Sequence, residues 1–185
     1  MQILKTEIPS VMIIQPKRFD DDRGFFSETY NKVLLREHGI DLEFVQDNHS
    51  LSRPAGVVRG LHFQEPPFAQ AKLIRVVRGS VFDVAVDLRR NSPTFGHHVS
   101  RVISAANWDQ ILIPIGFAHG FCTLEPDTEV TYKITDVYAP DHERGILWTD
   151  SDIGIDWPIE AVGAILSDKD RTLPKLRDIA ETLPF

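Results

Sequence analysis

The amino-acid sequence predicts an all-β domain, built as a sandwich or barrel with irregular flanks. Short runs rich in β-branched and aromatic residues recur along the chain, and Pro and Gly punctuate the boundaries between them. Residues 82–87 also alternate with a period close to two, as expected of a strand. A length of 185 residues favours one domain spanning 1–185. A domain of this size buries roughly 70% of its unfolded surface and folds without disulfides or metal.

Each predicted strand is a short run bounded by turn residues. The predicted strands cover 11–15, 72–77, 80–87, 97–103, 110–113, 120–124 and 129–135. Only Arg78 and Gly79 separate the second run from the third, and this spacing predicts a hairpin.

Two segments depart from the strand pattern. Residues 31–39 place Val33, Leu34 and Leu35 among charged residues and end in Gly39, which predicts a short helix. The segment from Ser167 onward is polar and contains two prolines, which predicts loops with one helical turn.

The overall charge and the cysteine content exclude several classes of protein. A formal net charge of −7 argues against non-specific nucleic-acid binding, although local Arg and Lys residues can still attract a small anion. The single cysteine, Cys122, lies in an apolar run, so we expect a buried, unreactive thiol and no internal disulfide. We find no apolar window of about 18 residues and no signal peptide. A cytoplasmic location is therefore expected, with no membrane partner.

The segment VRGLHFQ contains the first candidate for a functional histidine, His62. A histidine among apolar residues is, by itself, more typical of a packed core than of a catalyst. Arg59 lies three residues earlier and would face the opposite side of a regular strand. Gly60 could host a β-bulge that relaxes this alternation.

The segment IPIGFAHGF contains a Pro-x-Gly-x-x-His pattern that resembles the second motif of the cupin superfamily of jelly-roll β-barrels. Metal-binding cupins supply His-x-His and a Glu from a first motif, where this chain has His62-Phe63-Gln64. Only His62 and His119 remain as imidazole candidates, whereas a catalytic metal needs about three protein ligands. The adjacent His97 and His98 do not complete a site, so we expect a cupin-like barrel without metal.

Three further segments carry candidate residues. Asp168-Lys169-Asp170 is either a solvated loop or part of a site, and Tyr132 on a predicted strand is either core or functional. The segment DRGFFSE mixes an arginine with aromatic residues, a combination that can bind phosphate and stack on a base.

Taken together, the segments DRGFF, FVQDNHS, RGLHFQ, FDVAVDLR, SPTFG, IPIGFAHGF, YAP, GILW and LSDKD closely resemble the dTDP-4-dehydrorhamnose 3,5-epimerases, in the family's order, from about residue 5 to 175. The resemblance implies a cupin-type jelly roll with short flanking helices and a C-terminal loop or helix segment. It implies an isomerase that inverts C3 and C5 of dTDP-4-dehydro-6-deoxy-D-glucose to give dTDP-4-dehydro-L-rhamnose, in dTDP-L-rhamnose biosynthesis.

The chemistry of this reaction explains which residue types it needs. A proton next to a ketone is acidic because the carbanion delocalises as an enolate. The enzyme needs a base on one sugar face, an acid on the other and a positive or hydrogen-bonding group near the ketone oxygen. No redox cofactor is required, and the sequence has no Gly-rich nucleotide-binding loop, so we expect no cofactor.

The resemblance assigns the catalytic roles to four residues. His62 matches the general base and Asp170 the carboxylate that orients it, whereas Tyr132 matches the acid on the opposite face. Lys72 matches the cation near the ketone oxygen.

The resemblance also implies how the sugar nucleotide is bound. Arg23 and Arg59 match residues that contact the diphosphate, and Gln46, Asp47 and Asn48 match polar contacts to the nucleotide and the sugar. Phe26 and Glu28 match thymine contacts, and Tyr138 matches the residue that stacks on the base. Further ligand contacts are matched by His119, Glu143, Lys169 and Lys72. The family forms homodimers with exchanged N-terminal strands, so Arg23, Phe26 and Glu28 would act across the interface.

Four other functions remain open from the sequence. Related barrels epimerise one carbon only, or act as 3,4-ketoisomerases on a dTDP-4-keto-6-deoxy sugar. A metal-dependent cupin and a non-catalytic sugar-binding cupin are the other two alternatives.

Overall fold

The structure is a computed structural model that describes residues 1–185, most of them in strands or in the turns between strands. The strands are β1 Gln2–Lys5, β2 Met12–Gln15, β3 Arg18–Asp21, β4 Gly24–Ser27, β5 Gln46–Ser52, β6 Val58–Gln64, β7 Lys72–Arg78, β8 Ser80–Asp87, β9 His98–Ser104, β10 Gln110–Ile113, β11 Phe117–Thr123, β12 Thr128–Ile134 and β13 Glu143–Gly145. The helices are α1 Lys32–Glu37, α2 Asp168–Arg171 and α3 Leu176–Ile179, with short 3-10 helices at Pro140–His142, Ala161–Gly163 and Ala180–Thr182.

Two antiparallel sheets form the body of the molecule. One has six strands in the order β1-β2-β10-β7-β12-β5, and the other has five in the order β13-β6-β11-β8-β9. The hairpin β3–β4 forms a separate two-stranded sheet. This architecture confirms the predicted all-β jelly roll.

The main core lies between the two sheets. Its apolar side chains include Ile74 of the six-stranded sheet and Val81, Ala85 and Phe117 of the five-stranded sheet. Such side chains alternate along each strand with residues that face outward. Because one inner face comes from each sheet, the space between the sheets is also where a ligand cavity can form.

Two smaller clusters cover the outer faces of the sheets. Helix α1 packs Leu35 against Leu73 of β7 and Leu112 of β10 on the six-stranded sheet. The C-terminal segment packs Leu176 and Leu183 against residues of the five-stranded sheet. Both faces of the central strands are therefore buried.

The predicted hairpin of residues 72–87 is wrong, although both of its strands exist. β7 pairs with β10 and β12 in one sheet, whereas β8 pairs with β11 and β9 in the other. The chain turns at Gly79, which has φ +75°, and crosses there from one sheet to the other. A sequence pattern typical of a tight turn predicts that the backbone reverses, but it does not predict which sheet the next strand joins.

The helical segments agree in part with the prediction. α1 begins after Asn31, whose side chain accepts hydrogen bonds from the amides of Val33 and Leu34, and the chain reverses at Gly39 with φ +81°. The C-terminal segment is more helical than predicted, because it forms α2, α3 and a 3-10 helix. No helix is long and apolar enough to cross a membrane. Cys122 is buried as predicted, and burial raises the pKa of its thiol to about 11.

The predicted β-bulge at Gly60 is confirmed. His119 of β11 pairs with His62, and Phe121 pairs with Arg59, so two residues of β6 stand opposite one residue of β11. Gly60 adopts φ +115°, a conformation that favours glycine. The bulge turns Arg59 and His62 toward the same cavity although they are three residues apart.

We expect Gly60→Ala to lower the free energy of unfolding by roughly 2 kcal/mol or more. A Cβ at this position would lie 2.6 Å from Gly120 Cα and 2.7 Å from the carbonyl oxygen of His119, in addition to the strained φ. Urea denaturation measures the effect, with Gly39→Ala as the control, because that glycine also has a positive φ but a Cβ added there would have no atom within 4 Å. Equal losses in the two variants would contradict the prediction.

Candidate active site

A cavity of 620 Å³ opens between the two sheets. Strands β6, β7, β11 and β12 line it together with the segment that leads into α2. A second cavity of 270 Å³ adjoins it. His62, Lys72 and Tyr132 line both cavities and therefore lie where the two meet.

His62 forms a dyad with Asp170 at the wall formed by the five-stranded sheet. Its Nε2 lies 2.6 Å from Asp170 Oδ1. Asp170 is almost fully buried, at 4% exposure, and its Oδ2 accepts a weak hydrogen bond of 3.5 Å from the amide of Gly60. Burial alone would raise the pKa of Asp170, but the hydrogen bond and charge of His62 outweigh it and keep that pKa below its usual value.

The position of Asp170 follows from the start of helix α2. Ser167 caps this helix by accepting a hydrogen bond of 3.2 Å from the amide of Asp170. The turn directs Asp170 inward, whereas Asp168 stays exposed. Of the two carboxylates in this run, only Asp170 therefore reaches His62.

Lys72 lies on β7, in the opposite sheet from His62. Its Nζ donates a hydrogen bond of 3.4 Å to the carbonyl oxygen of His62. Burial lowers the pKa of Lys72 to about 8, even though the charges of Glu143 and Asp83 act in the opposite direction. The ammonium group is therefore charged at neutral pH but close to the point of losing its proton.

Tyr132 projects from β12, which neighbours β7 in the six-stranded sheet, and packs against the main core. Burial raises the pKa of its phenol, and the charge of Arg59 offsets part of this effect. Tyr132 therefore keeps its proton at neutral pH. It faces the cavity from the sheet opposite His62.

A second histidine–carboxylate pair lies beside the first, and sequence reasoning missed half of it. His119, the strand partner of His62, has its Nε2 2.9 Å from Oδ2 of Asp83. Asp83 is fully buried, and its Oδ1 has no hydrogen-bond partner. The signal was present in the sequence, since Asp83 shares an inward-facing row with Val81 and Ala85.

Glu143, on the edge strand β13, connects His62 to the rim of the site. Its Oε1 lies 3.8 Å from Nδ1 of His62, and its Oε2 accepts a hydrogen bond of 2.7 Å from the hydroxyl of Tyr138 and pairs with Lys169. Burial would raise the pKa of Glu143, but its bonds to Lys169 and Tyr138 lower that pKa below the usual value.

The binding residues implied by the sequence divide into three groups. Arg59, His119 and Lys169 line the larger cavity, and Gln46, Asn48, Tyr138 and Glu143 line the adjoining one.

The second group is Asp47, which lies outside these two cavities. β5 alternates, so Gln46 and Asn48 face the adjoining cavity while Asp47 faces outward and pairs with Lys133 at 2.8 Å. Asp47 instead lines a separate cavity of 330 Å³, which Asn48 and Tyr132 also line.

The third group lies on or next to the hairpin β3–β4, outside the cavity of its own chain. The side chain of Arg23 is 90% exposed, Phe26 is 71% exposed, and Glu28 is also exposed. Phe25 of the same hairpin packs edge-on against Trp108.

The fold and the site together define a cupin-type jelly-roll enzyme whose cavity holds a histidine–aspartate pair at one sheet and a tyrosine and a lysine on the other, residue types that acid–base catalysis uses. No group of three or more His, Cys, Asp or Glu side chains in the structure has an arrangement suited to a metal ion. The model of the family described as dTDP-4-dehydrorhamnose 3,5-epimerase matches residues 5–178. This chain belongs to that family, whose members are isomerases.

Individual relatives match over nearly the whole chain. A dTDP-4-dehydrorhamnose 3,5-epimerase from Shigella flexneri is 54% identical over 92% of this chain and 93% of its own. A crystal structure of the Bacillus anthracis enzyme with TDP and PPi bound is 50% identical, with a TM-score of 0.92 over 95% of this chain and 99% of that one. The Legionella pneumophila enzyme in complex with dTDP-4-keto-L-rhamnose is 45% identical, with a TM-score of 0.94 over 99% of this chain and 97% of that one.

Proposed function

We propose that this enzyme inverts C3 and C5 of dTDP-4-dehydro-6-deoxy-D-glucose to give dTDP-4-dehydro-L-rhamnose, a step in making activated L-rhamnose. One observation carries the proposal: the His62–Asp170 dyad and Tyr132 approach one cavity from opposite sheets, with Lys72 beside them. The relative that binds dTDP-4-keto-L-rhamnose supports this substrate class. The proposal calls for no cofactor, because the C4 ketone already acidifies both neighbouring carbons.

In the proposed mechanism, His62 removes a proton next to the ketone. Asp170 engages Nε2, so Nδ1 is the nitrogen that accepts the proton, and the carboxylate stabilises the imidazolium that forms. Lys72 stabilises the negative charge that develops on the ketone oxygen. Tyr132 returns a proton to the carbon from the opposite face, which inverts the centre.

The nucleotide part of the substrate is proposed to extend along the adjoining cavity. Arg59 contacts the diphosphate, since a guanidinium fork matches phosphate oxygens. Gln46 and Asn48 supply polar contacts, and the exposed ring of Tyr138 stacks on the base. Asp47, His119, Glu143 and Lys169 complete the set of ligand contacts proposed from this chain.

Deuterium incorporation from heavy water tests the function directly. We expect label to enter both C3 and C5 of the 4-keto sugar, with NMR reporting the position of the label and the configuration at each carbon. Label at one carbon only would reduce the activity to mono-epimerisation. A ketone that moves to C3 would instead indicate a 3,4-ketoisomerase.

The activity is expected to fall above about pH 8, because Lys72 has a pKa of about 8 and stabilises the enolate only when charged. The charged form of Lys72 is nearly complete well below this pH and is lost as the pH rises through it, whereas Tyr132 has a raised pKa and keeps its proton over the same range. The pH profile of kcat/KM measures this limb. Arginine stays charged over this range, so the residual activity of Lys72→Arg should no longer fall above about pH 8. If the fall is unchanged in this variant, a group other than Lys72 causes it.

We also propose that the enzyme is a homodimer in which the N-terminal strands are exchanged and Arg23, Phe26 and Glu28 reach the partner's site. The exposure of these residues, away from the cavity of their own chain, supports this arrangement. Sedimentation measures the oligomeric state. Mixing Arg23→Ala with His62→Ala should restore activity through mixed dimers that have one intact site, and no recovery on subunit exchange would contradict the arrangement. The cytoplasmic location remains a prediction from the sequence.

A further inference from the structure

Glu143 links the proposed base to the surface of the protein. Its Oε1 lies 3.8 Å from His62 Nδ1, the nitrogen that Asp170 leaves free. Its Oε2 bonds Tyr138 and Lys169, which are both about half exposed. The distance to Nδ1 is longer than a hydrogen bond, so that nitrogen stays open to a substrate while the carboxylate remains one small rotation away.

Double inversion places a demand on His62 that single inversion does not. In a D-gluco ring the axial hydrogens on C3 and C5 lie on the same face, so the same base must remove both. After the first inversion His62 is an imidazolium and Tyr132 is a phenolate. The second inversion cannot start until His62 has lost its proton and Tyr132 has regained one, and the bound sugar then occupies the cavity beside them.

We propose that Glu143 resets His62 between the two inversions, a role that rests on the proposed function. The N–H bond at Nδ1 breaks and an O–H bond forms at Oε1 of Glu143, so imidazolium and carboxylate become imidazole and carboxylic acid. The acid then gives its proton to water at the rim beside Tyr138 and Lys169. Water returns a proton to the Tyr132 phenolate, so no net proton is consumed.

The other carboxylates near the histidines are less suited to this role. Asp170 engages Nε2 of His62 and is almost fully buried, and Asp83 is fully buried against His119. Glu143 alone faces Nδ1 and also contacts exposed polar groups. Its lowered pKa favours the ionised form, so it releases a proton quickly rather than holding it.

The test compares deuterium incorporation at C3 and C5 in the wild type and in Glu143→Gln, quenched within single turnovers. In Glu143→Gln, exchange at the second carbon should fall about tenfold or more relative to the first, and a singly inverted sugar should accumulate. Glu129→Gln is the matched control: it removes the same carboxylate from another histidine–glutamate pair, His49 Nε2 to Glu129 Oε2 at 2.9 Å, and Glu129 lines neither cavity, so the ratio of the two exchanges should stay that of the wild type.

Three results would overturn the role of Glu143: equal loss at both carbons, a change in KM alone, or the same imbalance in Glu129→Gln. If Glu143→Gln does not fold, Glu143→Asp carries the test, because it withdraws the carboxylate by one methylene and should give the same imbalance. Wild-type label at one carbon only would instead refute the proposed double inversion, so the two failures are distinguishable.

Discussion

His62→Ala should lower kcat/KM by about 10²–10⁴-fold, because the variant has no group that can take the proton beside the ketone. The carboxylate bonded to this ring, Asp170, is almost fully buried and also accepts a hydrogen bond from the amide of Gly60, so it is poorly placed to replace the imidazole. Deuterium incorporation at C3 and C5 should fall together with turnover, because every exchange begins with this proton transfer. Circular dichroism and thermal unfolding serve to check that the barrel is intact.

A matched control distinguishes lost chemistry from lost structure. His49 is also a strand histidine paired with a carboxylate, Glu129 at 2.9 Å, but it lies on the exposed side of β5. His49→Ala should leave turnover at the wild-type level. Near wild-type turnover in His62→Ala would contradict the proposal that His62 is the general base.

Tyr132→Phe should separate proton exchange from inversion. The ring still packs against the core, so the fold is expected to remain, but the cavity loses its acid on the wall opposite His62. His62 can still remove a proton and return solvent deuterium to the same face. We therefore expect inversion to fall by about 10²–10⁴-fold while exchange with retained configuration falls less.

NMR of the labelled sugar measures both quantities in one sample. Tyr30→Phe is a suitable control, because this tyrosine packs on the outer face of the six-stranded sheet against Phe44. If inversion and exchange fall by the same factor in Tyr132→Phe, the phenol is not the acid on the second face.

Much of the fold could be predicted from sequence, because apolar alternation marks strands that face a core on one side. The strand β5, residues 46–52, was not predicted because it lacks this apolar alternation: its inward side chains line a cavity and are polar. Alternation also does not specify register or sheet membership. The unknown sheet membership explains why the predicted hairpin around Gly79 is wrong.

The site was predictable where a local signal existed. Gly60 indicated the bulge that aligns Arg59 with His62, because few other residues tolerate its backbone conformation. The signal for Asp83 was ambiguous: it shares a strand face with the apolar Val81 and Ala85, but a carboxylate by itself suggests a solvated face until the second sheet is seen to cover it. The network around Glu143 depends on edge strand β13, which is only three residues long and lacks a recognisable pattern.

The two halves of the dyad are 108 residues apart in the chain, one in the barrel and the other on a four-residue helix docked onto it. Contacts so distant in sequence form late during folding, because their loop-closure entropy must first be offset by other contacts. The recovery of turnover during refolding should thus lag behind the recovery of β-sheet signal. Recovery of enzymatic activity therefore reports the last stage of folding. A chain whose sheets are complete but whose C-terminal segment is undocked would give the spectroscopic signal of the folded protein and would still be inactive.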